Sequence, residues 1–275
     1  MRRIISFMLT CVLIFSLFAG YAVASENDGD PLYTPVYVDD IDADPNMLSF
    51  VLKDELYVPL ESVSAALGSW FYTWNSALQS ASLMAEGLFI TVSADEDYLI
   101  ANGRYLYMKN GLQVENGVPM VPLNQLCQAF GVEYVIDDAA RINSEGTPIE
   151  ASDHVYDEED VYWLSRIIYA EAGAESLEGM IAVGNVVLNR VEAEQFPDNI
   201  YDVIFDNANG IQFSPAYNGS VYRTPSEEAI LAAKLALDGV DIVGDCLYFN
   251  MASLNTWASR NREYVTRLGC HNFYA

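Results

Sequence analysis

The chain has 275 residues, which is enough for one large domain or two of ordinary size. It carries 39 acidic residues against 13 basic ones, and this formal net charge of −26 predicts repulsion from nucleic acids and anionic membranes and favours a neutral or cationic partner. Hydrophobic residues make up 52% of the chain and aromatic residues 12%, which excludes an intrinsically disordered protein.

Residues 1–24 have the pattern of a signal peptide. The basic start MRR is followed by an apolar run from Ile4 to about Ala19 and then by the small-residue sequence Ala22-Val23-Ala24. We expect cleavage after Ala24 and a soluble, secreted mature chain. The alternative is an uncleaved membrane anchor, although the run is shorter than the roughly 20 residues that a spanning helix needs. Cys11 lies inside the run, too early for a lipoprotein acylation site.

An internal repeat organises the region from residue 32 to residue 138. The sequence LYVPLESVSAALGSWFYTW at 56–74 matches VPMVPLNQLCQAFGVEYVID at 118–137. Each copy predicts a strand, a helix that starts after Pro-Leu, a glycine at the helix C-terminus and a second strand. The residues at 88–94 and 98–108 between the copies predict two more strands.

These pieces carry a family resemblance. With the NGR turn at 102–104, the NGVPMVPL entry at 116–123 and the exit strand that follows, this half resembles the copper amine oxidase N-terminal domain, an accessory stalk module. The resemblance implies a small α+β domain that serves as a spacer or wall attachment. It does not imply copper, because the sequence shows no cluster of ligands.

Residues 139–156 predict a linker, and residues 157–275 predict a mainly helical second domain. Asp157 is expected to cap a first helix that breaks at Gly173-Ala174. Ser176 is expected to cap a second helix from Leu177 to about Glu192, which is apolar nearly all round and is therefore predicted to be the buried central helix. The sequence TPSE at 224–227 predicts a capping box for a third helix, and CLYFN at 246–250 predicts a strand.

Glu171 is the residue whose type is hardest to explain by packing alone. It follows Ile167 and Ile168 next to the apolar face of the first helix. A carboxyl group in such surroundings has a raised pKa and can donate a proton near neutral pH, as a general acid must. The alternative is a structural glutamate paired with Arg166, Arg190 or a backbone N–H.

The same segment resembles a known enzyme family. IIYAEAGAESLEGMIAVGNVVLNRV at 167–191, FPDNIYDVIF at 196–205, QFSPAYNGSVY at 212–222 and the terminal CHNFY are similar, in this order, to SleB-type spore cortex-lytic cell-wall hydrolases. The family's Tyr-Ala-Glu signature falls on Tyr169 to Glu171, so the resemblance implies that Glu171 is the catalytic acid. Gly173-Ala174 departs from the Arg-Gly of many members.

The resemblance implies a fold similar to goose-type lysozyme and the lytic transglycosylases, and a substrate that is the glycan strand of peptidoglycan. In the implied reaction one glutamate protonates the oxygen between N-acetylmuramic acid and N-acetylglucosamine and then assists attack by the muramic 6-hydroxyl. A hydrolytic muramidase would instead use a second carboxylate. Glu175 is the nearest candidate, followed by Glu178 and Asp206, and first-turn helix acids are the alternative reading of the two glutamates.

Sugar recognition needs aromatic planes and hydrogen-bonding groups. We expect substrate contacts from the following residues: Tyr169, Gln212, Phe213, Tyr217, Asn218, Tyr248, Asn250, Trp257 and His271. Core packing, surface turns and, for His271, a structural role are the alternatives. His154 is expected to be solvated in the linker.

The remaining expectations concern cysteines, cofactors and rival functions. We expect a disulfide between Cys246 and Cys270 and a buried free thiol at Cys127. We expect no metal, no cofactor and a monomer whose partner is peptidoglycan. A zinc amidase lacks a ligand pattern such as H-E-x-x-H, a cysteine endopeptidase lacks a separate Cys–His pair, and an inactive wall-binding protein leaves Glu171 unexplained. Spore cortex and vegetative wall both remain open as substrates.

Overall fold

The computed structural model describes residues 33–208 and 210–275, and the predicted signal peptide lies outside them. Leu32–Ala275 form one compact unit with two hydrophobic cores, one in each half of the chain. No helix in these described ranges is long and apolar enough to cross a membrane. The predicted α+β class is confirmed, with a β-rich first half and a mainly helical second half.

From residue 33 onward, where the structure describes it, the first half contains thirteen strands and two helices. Its elements are, in chain order, β1 Val36–Val38, β2 Ile41–Asp42, β3 Phe50–Leu52, β4 Glu55–Pro59, α1 Leu60–Ala66, β5 Phe71–Asn75, β6 Ser80–Ala85, β7 Leu88–Ser93, β8 Tyr98–Ala101, β9 Arg104–Tyr107, β10 Gln113–Glu115, β11 Val118–Pro122, α2 Leu123–Phe130, β12 Tyr134–Ile136 and β13 Ala140–Ile142. They form sheets in the orders β12-β13-β1-β2, β10-β11-β4-β3 and β5-β6-β7-β8-β9.

The predicted repeat is present as two strand–helix units that pair with each other. Strands β4 and β11 are antiparallel neighbours, and the helices α1 and α2 start directly after their prolines, which cannot donate a hydrogen bond. Gly131 ends α2 in the left-handed conformation, as predicted for a glycine at this position. Strand β13 pairs with β1, so the stretch predicted as a linker begins inside a sheet of the first half.

The second half is built on three packed helices and a small sheet. Its elements are α3 Ser152–Val155, α4 Glu158–Ala172, α5 Leu177–Glu192, α6 Ile200–Phe205, α7 Ser214–Asn218, a 3₁₀ turn Ser220–Tyr222, α8 Glu227–Leu237, β14 Tyr248–Met251, α9 Trp257–Asn261, β15 Tyr264–Leu268 and β16 His271–Tyr274. The strand order is β14-β16-β15, and all its pairs are antiparallel.

Capping side chains set the helix starts. Asp157 accepts a hydrogen bond from the N–H of Glu159, and Ser176 accepts one from Gly179, as predicted for α4 and α5. The third helix differs from prediction, because Ser226 caps it and it begins at Glu227.

Helix α5 is central because its neighbours approach it closely. A Cβ built on Gly184 would stand 3.0 Å from Ile168 Cδ1 of α4 and 3.2 Å from Ala236 Cβ of α8. Most of the helix surface is buried, as its apolar composition predicted. This packing fixes the C-terminal end of α4, where Glu171 lies.

The expected disulfide is wrong, since Cys246 and Cys270 are both free thiols. Strand register explains the difference. Cys270 lies opposite Ala252, whose N–H donates to its carbonyl at 2.8 Å, whereas Cys246 precedes the other end of β14. The strand β14 lies between the two cysteines and extends about 10 Å from Tyr248 to Met251, whereas a disulfide needs Cα atoms within about 7 Å. Cys127 is buried and free, as expected.

A buried carboxylate joins the two halves. Asp238, at the C-terminus of α8, accepts hydrogen bonds from Arg104 Nε at 2.6 Å, from the Tyr105 N–H at 3.0 Å and from the Tyr156 hydroxyl. Its side chain has no solvent exposure. The neighbouring residues Tyr98, Tyr105 and Tyr107 of the first half pack against the second core. Strands β8 and β9 are therefore docked on the helical half.

Asp238→Asn should destabilise the protein by about 2–4 kcal/mol, because the amide cannot balance the charge of Arg104 and leaves buried donors without an acceptor. The free energy of unfolding from urea denaturation measures this loss. Asp137→Asn is the matched control, since Asp137 also pairs with an arginine but is exposed. Equal stability of the Asp238→Asn variant and the parent would contradict the structural role of this contact.

Candidate active site

Glu171 lies in the last turn of α4 and is partly buried. Burial raises the pKa of its carboxyl group from 4.5 to about 7. Among residues 33–208 and 210–275, no hydrogen bond or ion pair to its carboxylate was found. The group therefore holds a proton over part of the neutral pH range, and none of the described residues accepts that proton.

The predicted structural alternatives for Glu171 are occupied elsewhere. Arg166 places its guanidinium 3.7 Å from the centre of the Tyr162 ring, and one of its Nη atoms donates to the Tyr162 carbonyl. Arg190 donates through Nε to the Leu247 carbonyl at 2.8 Å. Neither arginine forms an ion pair with Glu171, so these contacts favour the functional reading of the residue.

Tyr169 and Gly173 shape the helix end around Glu171. A Cβ built on Gly173 would stand 2.8 and 3.1 Å from Cδ2 and Cε2 of the Tyr169 ring. The ring therefore lies directly against the glycine, and any side chain at position 173 would displace it. This contact gives a physical role to Gly173, at the position where the sequence departs from the Arg-Gly of many SleB-type hydrolases.

Glu175 is engaged by the hairpin between β15 and β16. Both its carboxylate oxygens accept from the Cys270 N–H at 3.2 Å, and its Oε1 lies 3.4 Å from His271 Nδ1. A Cβ built on Gly269 would overlap Oε2 of Glu175 and stand 2.8 Å from its Cδ. The carboxylate is thus held in the hairpin turn by the Cys270 N–H and by its contacts with Gly269 and His271.

The other two carboxylates considered from sequence also have partners. Glu178 accepts from the Tyr107 hydroxyl of β9 at 3.1 Å, so it faces the first half of the chain. Asp206 accepts from the N–H of Ala208 at 2.9 Å within its own turn. Glu171 is the carboxylate of this group for which no protein partner was found in the described ranges.

His271 is buried and packs edge-on against Phe249, with ring centres 5.5 Å apart. Burial lowers the pKa of its imidazole, and the nearby Glu175 opposes this shift. The ring is therefore mainly neutral at neutral pH. Its contacts favour the structural role that the sequence left open.

The QFSPAYNGS loop contributes less to an open surface than predicted. Phe213 has no solvent exposure and packs near Phe249, with ring centres 6.1 Å apart, so it belongs to the core rather than to a sugar-stacking surface. Gln212 donates to the Gly210 carbonyl, and Asn218 accepts from the Ser220 N–H. Tyr217 is exposed but donates its hydroxyl to the Phe205 carbonyl at 2.6 Å.

The residues predicted on β14 and after it lie together. Tyr248 and Trp257 form an edge-to-face pair with ring centres 5.7 Å apart. Asn250 orders the intervening loop by accepting from the Thr256 hydroxyl and donating to the Met251 and Leu254 carbonyls. The structure adds Arg262, whose guanidinium lies over both rings. Sequence reasoning missed this residue because nothing in its local pattern separates it from an ordinary surface arginine.

Within the described part of the chain, no three His, Cys, Asp or Glu side chains are grouped closely enough to hold a metal ion. At the end of α4 the structure brings together the Glu171 carboxyl with its elevated pKa, the Tyr169 ring packed on Gly173, and a hairpin held by Glu175.

Comparison with known families identifies two regions. Residues 174–274 match the family described as Cell Wall Hydrolase, and residues 37–143 match the copper amine oxidase N-terminal domain. Both resemblances found from sequence are thereby confirmed. Glu171 lies just before the first residue of the hydrolase match, so its catalytic assignment depends on the local geometry and on the Tyr-Ala-Glu signature.

Similar proteins include two curated spore cortex-lytic enzymes. That of Halalkalibacterium halodurans is 34% identical over 138 residues, covering 50% of this chain and 40% of the relative, and that of Oceanobacillus iheyensis is 31% identical over 129 residues, covering 46% of each. The chain thus spans less than half the length of these relatives. The solved catalytic domain of the germination-specific lytic transglycosylase SleB from Bacillus anthracis is 30% identical, with 44% of this chain and 97% of that domain covered and a TM-score of 0.40.

Glu171→Gln should stabilise the protein in a pH-dependent manner. Because the folded-state pKa is raised, the folded state binds the proton more tightly than the unfolded state, and the cost of ionising Glu171 grows from about pH 4.5 to about pH 7. The variant should exceed the parent by roughly 3 kcal/mol at pH 8 and match it near pH 4. Urea denaturation across this range measures the difference. Glu133→Gln, at an exposed position, is the control, and a pH-independent difference at Glu171 would contradict the desolvated site.

Gly269→Ala should destabilise the protein more than Gly244→Ala. Both glycines have left-handed backbone, with φ of +53° and +55°, but only the Cβ at position 269 meets Glu175, whereas nothing lies within 4 Å at position 244. The control should lose about 1 kcal/mol from backbone strain, and Gly269→Ala about 1–3 kcal/mol more. Equal losses in thermal or urea unfolding would show that Glu175 does not hold this turn.

Proposed function

From a chain whose residues 174–274 match the cell wall hydrolase family, we propose an exported enzyme that degrades peptidoglycan. It cleaves the glycan strand between N-acetylmuramic acid and N-acetylglucosamine and uses Glu171 as its catalytic residue. The partner is the peptidoglycan strand, and the protein acts outside the cell in association with the wall. The similarity to spore cortex-lytic enzymes supports this substrate class.

The observation that carries the proposal is the state of Glu171. Its pKa of about 7 results from burial, and no protein group was found to satisfy its carboxylate within the described residues. Natural proteins seldom keep a partly buried carboxyl group without a partner, because ionising it there is costly. A proton donor of this kind suits the protonation of a glycosidic oxygen, whose leaving group would otherwise depart as an alkoxide.

The contacts of the other carboxylates favour the lytic route over hydrolysis. A hydrolytic glycosidase ordinarily places two carboxyl groups about 5–5.5 Å or 6.5–9.5 Å apart around the bond. Here Glu175, Glu178 and Asp206 each accept hydrogen bonds from groups outside such a site. Glu171 therefore acts alone. It first gives its proton to the leaving oxygen, and the resulting carboxylate then accepts the proton of the muramic 6-hydroxyl as that oxygen bonds to the anomeric carbon.

The products give the decisive test. Digestion of purified peptidoglycan should release 1,6-anhydro-muramic ends, which mass spectrometry identifies. Glu171→Gln should reduce the rate by about 100-fold or more, because the amide cannot donate a proton in this step. The ratio kcat/KM should fall as pH rises through about 7, where Glu171 loses its proton.

Glu175→Gln is the matched control, because it removes a neighbouring carboxylate that is already engaged by the hairpin. It should lose stability but still form anhydro ends. Reducing muramic ends from the parent, with loss of activity in Glu175→Gln, would establish a hydrolytic muramidase instead. New amino groups would establish an amidase, and a parent that binds but releases no fragments would establish a wall-binding protein. Wild-type cleavage by Glu171→Gln would overturn the site.

A further inference from the structure

Two aromatic rings and an arginine, from β14 and from the segment after it, form a partly exposed cluster. Trp257 is 54% exposed, and Arg262 is exposed beside it. The Arg262 guanidinium carbon lies 4.8 Å from the centre of the Tyr248 ring and 5.2 Å from that of Trp257. One Nη of Arg262 also donates to the Tyr248 hydroxyl at 3.2 Å. We call Tyr248, Trp257 and Arg262 the cationic platform.

The charge of Arg262 is not balanced by a neighbouring carboxylate. Of the five N–H donors of its guanidinium, one makes the contact with Tyr248, and no ion pair to Arg262 was found among the described residues. Arg141 provides the contrast, since it lies 5.3 Å from the Tyr37 ring but pairs with Asp137 and Asp138 at 3.9 and 3.3 Å. An arginine that lies over aromatic rings, with no acid partner found in the described ranges, keeps its remaining donors for another group.

The surroundings add positive charge. Arg260 and Arg267 are also exposed and donate to the backbone carbonyls of Thr256 and Gly269 rather than to acids. Between Trp257 and Leu268 the sole acidic residue is Glu263, in a chain whose formal net charge is −26. This segment is therefore basic, although the chain as a whole is acidic. The net charge favours a neutral or cationic partner, whereas this segment can bind an anionic group.

A second arginine, which is buried, also contacts the Tyr248 ring of the platform. Arg190 is 4% exposed, and its guanidinium carbon lies 5.5 Å from the centre of the Tyr248 ring. Its Nη1 is buried without a hydrogen-bond partner. Asp206 acts on it electrostatically, but no ion pair between them was found in the described ranges. Two guanidinium groups thus approach one tyrosine ring, and neither is neutralised by a paired carboxylate.

The platform belongs to the sheet that borders the candidate site. Strand β14 carries Tyr248 at one end, and the residue after its other end, Ala252, bonds to Cys270. Cys270 in turn donates to Glu175, four residues beyond Glu171. A glycan strand that is bound at Glu171 and extends along β14 would therefore run toward the platform.

We propose that the cationic platform binds a sugar of the glycan strand together with a carboxylate of the peptide stem attached to that strand. The Trp257 ring supplies a plane for the apolar face of the sugar, and Arg262 supplies two parallel N–H donors for the carboxylate. On a peptidoglycan strand, the peptide stems attached to muramic acid carry such carboxylates. The inference rests on the proposed function and adds a specificity determinant, so that strands with peptide stems bind more tightly than bare glycan.

Cosedimentation tests the proposal with Glu171→Gln as the parent, so that the substrate is not consumed. The probes are peptidoglycan freed of covalently attached phosphate polymers, which is the stem-bearing material, and chitin, which is the stem-free glycan because its N-acetylglucosamine units carry neither a peptide nor a carboxylate. Adding Arg262→Gln should weaken binding to the stem-bearing material about tenfold and leave binding to the stem-free glycan unchanged. Trp257→Ala should weaken binding to both, because the stacking plane serves the sugar.

Arg262→Lys and Arg141→Gln are the matched controls. Lysine keeps the charge without the planar fork, so Arg262→Lys should fall between the parent and Arg262→Gln. Arg141→Gln removes an arginine that is already paired and should bind both materials like the parent. Thermal unfolding checks that each variant is folded.

The proposal is overturned if Arg262→Gln binds stem-bearing material like the parent, or if it weakens binding to both materials equally. A loss seen only with material that retains its phosphate polymers would also overturn it, since the platform would then bind phosphate. These outcomes do not test the proposed function. That function is tested by the chemical ends of the released fragments and by the activity of Glu171→Gln.

Discussion

The hydrogen bonds between Glu175 and the Cys270 turn organise the candidate site. They tie the turn after α4 to the β15–β16 hairpin, and through that hairpin to the sheet that carries Tyr248 and Asn250. The same bonds occupy the carboxylate nearest to Glu171 along the chain. One interaction therefore both positions the sheet beside the helix end and leaves a single glutamate with an unshared proton. The two roles cannot be separated, because a Glu175 free to act in catalysis would release the hairpin.

Local sequence signals predicted the parts that depend on neighbouring residues. The caps Asp157 and Ser176, the repeat of strand and helix, the buried α5 and the place of Glu171 all follow from short patterns of polar and apolar residues. The start of α8 shows the limit of such patterns. Thr224 and Ser226 are both good capping residues, and only the packed helix shows that Ser226 is used.

The parts that failed depend on tertiary register and burial. The pairing of β14 with β16 separates Cys246 from Cys270, and nothing in the spacing of two cysteines encodes that register. Phe213 stands in a polar loop motif but is fully buried. The role of Arg262 was not predicted for a different reason. The net charge is a sum over the whole chain, so it does not show that one segment of an acidic chain is basic.

The carboxylate of Asp238 has a consequence for how mutations spread through this protein. Because two of its donors come from Arg104 and Tyr105, the end of α8 is held by residues of the β-rich half, and Tyr98, Tyr105 and Tyr107 of that half pack against the helical core. We therefore expect the two halves to unfold in a single cooperative transition. Substitutions deep in the amine-oxidase-like sheets will lower the fraction of chains with an intact Glu171 site, although they lie far from it. The tolerance of the helical half to genetic variation is thus set partly by the β-rich half against which it packs.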